Sequence, residues 1–107
     1  DHFIQMEQAS AGDDEGLHWR EARGWFSYRL KTHGKKAAQV RIAYRPEPRR
    51  DARVYVNEVE VGVLADGGNV AAFAVPGSLQ TAEVLTVKIA KGDKRITPHV
   101  YEVRLTE

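Results

Sequence analysis

Apolar side chains recur at every second position in segment after segment of this chain, and that period of two permits a half-buried strand and little else. Val40, Ile42 and Tyr44 share one face of residues 38–45, with Gln39, Arg41 and Ala43 on the other. Val54 and Val56 repeat the pattern, as do Leu85, Val87 and Ile89. Most of these residues are β-branched or aromatic, types that fit a pleated surface and lose rotamer freedom in a helix.

Breakers separate the runs. Pro46 and Pro48 withhold ladder donors, Pro76-Gly77 stops another run, and His33-Gly34-Lys35-Lys36 and Lys91-Gly92-Asp93-Lys94 read as turns. Asn57-Glu58 forms a tight turn between two runs, and Asp66-Gly67-Gly68-Asn69 is a strong turn signal because these residues tolerate positive φ. The predicted strands are residues 3–8, 25–31, 38–45, 53–57, 59–64, 70–75, 83–90 and 100–106. In the fifth, Val59, Val61 and Val63 repeat with period two; in the last, Tyr101, Val103 and Leu105 point inward. Residues 10–16, polar and acidic with two glycines, form a loop, and a short helical turn fits only residues 78–82.

About eight short strands without a convincing helix predict an all-β fold, an antiparallel β-sandwich. At 107 residues the chain fits one domain, residues 1–107, with a single core. No cysteine is present, which excludes disulfides, a thiolate zinc site and a cysteine nucleophile. Sixteen basic and fifteen acidic residues leave a formal charge of +1, so no global field draws nucleic acid or an anionic membrane. No apolar run approaches the ~20 residues of a membrane-spanning helix, and the expectation is a soluble chain. It opens at Asp1 with no basic-then-apolar leader, the pattern expected of an excised domain or mature product.

Both tryptophans fall within residues 18–28, His18-Trp19-Arg20-Glu21-Ala22-Arg23-Gly24-Trp25-Phe26-Ser27-Tyr28. Aromatic faces beside guanidinium and imidazole groups suit a sugar ring, which offers apolar C–H faces and hydroxyls that need directional partners. Alternation assigns either Trp25 or Phe26 to the core, and residues 25–30 to building it. His18-Trp19-Arg20 sits in the loop before that strand. There, Trp19 stacks and Arg20 donates to a sugar or a neighbouring domain, or else Trp19 caps the sandwich while Arg20 pairs with Glu21, Asp13 or Asp14.

His18, Glu21 and Ser27 supply the residue types of a hydrolytic triad, but Ser27 lies within an alternating strand and lacks the strained turn that exposes a nucleophile. Asp13, Asp14 and Glu15 read as a solvated acidic loop, and the four histidines lack ligand spacing, so no metal is called for by the residues themselves. No catalytic residue is assigned.

Three segments together resemble a known family. Asp1-His2, the element from Gly16-Leu17-His18-Trp19-Arg20-Glu21-Ala22 to Gly24-Trp25-Phe26-Ser27-Tyr28-Arg29-Leu30, and Val100-Tyr101-Glu102-Val103-Arg104-Leu105 look like the C-terminal β-sandwich domain of bacterial glycoside hydrolases of the β-L-arabinofuranosidase type. The likeness covers nearly the whole chain in pattern, and its specific part is residues 16–30. It implies a non-catalytic accessory domain that packs against the catalytic domain of the same chain and stabilises its neighbours, in a secreted or periplasmic enzyme.

A wider likeness is to galactose-binding-like jelly rolls. It implies the alternative of an autonomous carbohydrate-binding module for plant-type glycans, with Trp19, Arg20, Tyr28 and Tyr55 or Tyr101 in contact. His18, Trp19, Arg20, Tyr28 and Tyr101 are therefore the candidate ligand or interdomain residues. In several such modules carboxylates near both chain ends hold a structural calcium; Glu7 could serve here, while Tyr101 stands where an Asp often sits.

Overall fold

The computed structural model describes residues 2–14, 17–65 and 68–107, with side chains at 11, 12, 20–65 and 68–107. Eight antiparallel strands run in chain order: β1 (His2–Asp14), β2 (Leu17–Lys31), β3 (Gln39–Arg45), β4 (Ala52–Val56), β5 (Val59–Leu64), β6 (Val70–Ala74), β7 (Val84–Lys91) and β8 (His99–Thr106). A 3-10 turn, Gly77–Leu79, overlaps the start of the predicted helical stretch at residues 78–82 and ends three residues short of its end. Among the described residues no helix is long and apolar enough to cross a membrane.

The β1–β2 hairpin organises the rest. β1 takes one edge of β2 along its length, while the other edge passes from β8 at Arg20 to β7 over residues 25–31. The sheet therefore continues from β2 in two directions, through β7 to β4 and β5 and through β8 to β3 and β6. The turning point is visible in the register: Glu7 faces Trp25 and Ala9 faces Ala22, so Arg23 and the buried Gly24 lie opposite Gln8 alone. An extra residue of this kind bends a strand and increases its twist. On the far side β5 and β6 meet, with Phe73 of β6 packed on Gly62 of β5, and the sheet nearly closes into a barrel.

The core lies between these layers, where period two placed it. Val40, Ile42 and Tyr44 of β3, Val54 and Val56 of β4, and Leu85, Val87 and Ile89 of β7 are all buried, with Phe26 and Leu30 of β2. Each such side chain contributes about 1.5–3 kcal/mol by leaving water. Tyr44 also places its hydroxyl, which donates to the Ala65 carbonyl at 2.8 Å. Asn57 and Glu58 both adopt positive φ (46° and 70°), the two-residue hairpin that joins β4 to β5.

Four expectations need correction. Residues 10–14 are strand, not loop, and β2 begins at Leu17, so His18, Trp19 and Arg20 stand on a strand rather than before one. Pairing with β1 holds all three in the ladder whatever their side chains are, and Arg20 also pairs with Val100 of β8. In β5, Val61 is an extra residue between the Val54–Gly62 and Tyr55–Glu60 pairs, and Val59 and Val63 of this edge strand are 46% and 49% exposed. In β8, Tyr101 is the extra residue between pairs Tyr44–Val100 and Ala43–Glu102, so Val100 and Val103 occupy the core and Tyr101 is only half-buried. The turn at residues 66–67 lies outside the described residues.

Candidate functional site

Of the five predicted contact residues, His18 and Trp19 have backbones paired with Asp13 and Gly12, while their side chains lie outside the described residues, as does that of Glu7. Arg20 and Tyr28 come together. Tyr28 packs on the core with its ring edge-on to Phe26, at 5.9 Å between centroids and 78° between planes, and the Arg20 guanidinium lies close to its hydroxyl. Burial pushes the Tyr28 phenol up, and Arg20 offsets part of that rise. Tyr101 is half-buried on β8.

Strand pairing assembles a second group that residue spacing did not reveal. Glu21 of β2 receives Arg50 Nη1 at 2.8 Å from the β3–β4 connection and lies 2.7 Å from His99 Nε2 at the start of β8. Arg50 Nε also reaches Glu47 at 3.2 Å. Beneath them the buried Thr97 receives the Ala22 N–H on its hydroxyl at 2.9 Å and returns its own N–H to the Ala22 carbonyl at 2.9 Å. Burial pulls the Glu21 carboxyl upward, but the Arg50 hydrogen bond and charge, aided by His99, outweigh it and hold Glu21 below the usual carboxylate range. The cluster ties two connections to β2. Each acid or base in it already has a polar side-chain partner, which favours clamping over proton transfer.

Ser27, the hydroxyl of the triad residue types, is 1% exposed and its Oγ has no hydrogen-bond partner among the described residues. An activated nucleophile needs a base within hydrogen-bond reach. No group of three or more His, Asp or Glu among the described residues is placed to hold a metal.

A third group covers the outer face of β2, β7 and β4. With Phe26 in the core at 0% exposure, Trp25 turns outward. Register aligns Arg53, Ala90 and Trp25 in one cross-strand row and Tyr55, Lys88 and Ser27 in the next. The Lys88 ammonium stands 5.7 Å from the Trp25 ring centroid and 5.1 Å from that of Tyr55, and pairs with Glu58 at 3.2 Å. Arg53 pairs with Asp93 at 3.3 Å and lies beside Tyr55 and Glu60. Alternation on residues 25–30 already implied that one of Trp25 and Phe26 would face outward; only strand order reveals what it would meet.

Residues 1–106 match the model of a family of unknown function, DUF6805. The chain belongs to the DUF6805 family. No curated protein matches it. For DUF6805, the match spans the whole described sandwich, so the bent hairpin, the Glu21 clamp and the outer aromatic face are all features of the family domain in this chain.

Proposed function

We propose that this DUF6805 domain is a non-catalytic accessory β-sandwich of a bacterial glycoside hydrolase, packing against the catalytic domain of its own chain and stabilising its neighbours. The observation that carries this reading is how the reactive side chains are used. Glu21, Arg50 and His99 clamp loops onto β2, and Ser27 is buried without a base. The resemblance of residues 16–30 to the C-terminal domains of β-L-arabinofuranosidase-type enzymes supports the choice of parent. The exposed Val59, Val63 and Val70 offer apolar area to a neighbouring domain on the two strands that meet at the closing seam.

Scanning calorimetry of the full-length natural protein tests the packing. Deleting residues 1–107 lowers the melting temperature of the remaining domains, because a docked partner stabilises by mass action. Unchanged melting of the remainder contradicts the reading.

A second reading, an autonomous carbohydrate-binding module, is favoured by the half-buried Trp25 and Tyr55, which flank Lys88 on one sheet face.

A further inference from the structure

Two aromatic rings, three cations (Lys88, Arg53 and, one row further along β2, Arg29) and three carboxylates gather on the outer face of β4, β7 and β2. Trp25 and Tyr55 sit on the diagonal of the two cross-strand rows, with Lys88 between them. The other two positions on the β7 and β2 side are Ala90, which is partly buried, and Ser27, which is 1% exposed, so the accessible part of this face is formed by Trp25, Lys88, Tyr55 and Arg53. Glu60 lies opposite Tyr55 on β5, while Glu58 and Asp93 hold Lys88 and Arg53 from positions 77% and 90% exposed. Such exposed pairs are weak, on the order of 0–1 kcal/mol, and exchange readily for other polar partners.

This combination selects among ligands. Phosphates and uronates would meet Glu58, Glu60 and Asp93, so a polyanion is repelled as much as attracted. A purely apolar partner would strand an ammonium and a guanidinium away from water. A neutral sugar has C–H faces for the rings, and each hydroxyl both donates and accepts, matching ammonium, guanidinium and carboxylate alike.

We propose that this face binds a neutral oligosaccharide laid across β2, β7 and β4, with Trp25 and Tyr55 stacking on sugar rings and Lys88, Arg53, Glu58 and Asp93 taking the hydroxyls. The proposal rests on the carbohydrate-binding reading above and names its site, which is separate from the Arg20–Tyr28 contact on the core side of β2.

Nitrogen-15-labelled chain is titrated with xylotetraose, arabinotetraose and mannotetraose, and with tetragalacturonate as the acidic comparison, following the two indole N–H signals; Trp25→Phe assigns them. At least one neutral sugar is expected to shift the Trp25 indole and the backbone signals of Tyr55 and Lys88. Trp25→Ala and Tyr55→Ala each weaken that binding about tenfold or more, with unchanged melting curves showing that both variants fold. If either variant fails to fold, Lys88→Gln, which keeps both rings, serves in its place and weakens binding several-fold. Binding that persists undiminished in the folded variants overturns this site while leaving a binding module that uses another face. Absence of any shift at millimolar sugar overturns both, and tighter binding of tetragalacturonate overturns the neutral class.

Discussion

Gly62 is where closure of the fold can be probed with one methyl group. A Cβ at this position would lie 3.2 Å from Phe73 Cγ and closer still to Cδ1 and Cε1, inside the roughly 3.5 Å at which carbons pack. The ring must retreat by about an ångström or swing into water. Overpacking of this size costs about 1–3 kcal/mol. Swinging out caps the loss, since a fully buried Phe is worth about 1.5–3 kcal/mol and Phe73 is only half-buried. Against this, replacing a strand glycine removes unfolded-state freedom worth roughly 0.5–1 kcal/mol. Gly62→Ala should therefore destabilise by about 1–2 kcal/mol net. For a domain of this size that lowers Tm by roughly 5–15 °C in a circular-dichroism melt. In a double-mutant cycle, adding Phe73→Leu removes the offending ring edge, so the pair should be less unstable than the sum of its parts. A Gly62→Ala variant that melts higher than the parent, or strict additivity in the cycle, would refute the packing of β6 on β5.

Thr97→Val keeps the buried shape but leaves the Ala22 N–H without its hydroxyl acceptor, and urea unfolding should show a loss of about 1–3 kcal/mol. Glu21 has a folded pKa below its ordinary value, so its contribution is present above that value and lost as pH falls through the folded pKa. Glu21→Gln should accordingly cost about 1 kcal/mol near pH 7, and the gap between variant and parent should narrow as pH falls through the folded pKa; a gap independent of pH would show that the carboxylate charge is not what holds Arg50 and His99.

Period two was sufficient to place β3, β4 and β7, because each is covered on one face and open on the other, so burial imprints alternation directly. It failed at the turn end of the hairpin, where residues 10–14 lack apolar alternation and strand formation comes from pairing with β2 rather than from side chains. It also failed at Val61 and Tyr101, where one inserted residue shifts which side chains face inward and no local feature marks the insertion. The Glu21 clamp joins residues 29 and 78 positions apart. Such a group forms only once β2 reaches β8, and spacing along the chain carries no trace of it. Trp25, Lys88 and Tyr55 illustrate the same limit: alternation turns each outward, but their meeting depends on β7 lying between β2 and β4.

The central claim, an accessory domain without chemistry of its own, is tested most directly by assaying chromogenic L-arabinofuranosides with three samples: the full-length natural protein, that protein lacking residues 1–107, and the 107-residue chain alone. The account predicts turnover by the first two, with the truncated protein less resistant to heat, and none by the isolated domain. Hydrolysis by the 107-residue chain, abolished when Ser27 or Glu21 is replaced, would contradict it.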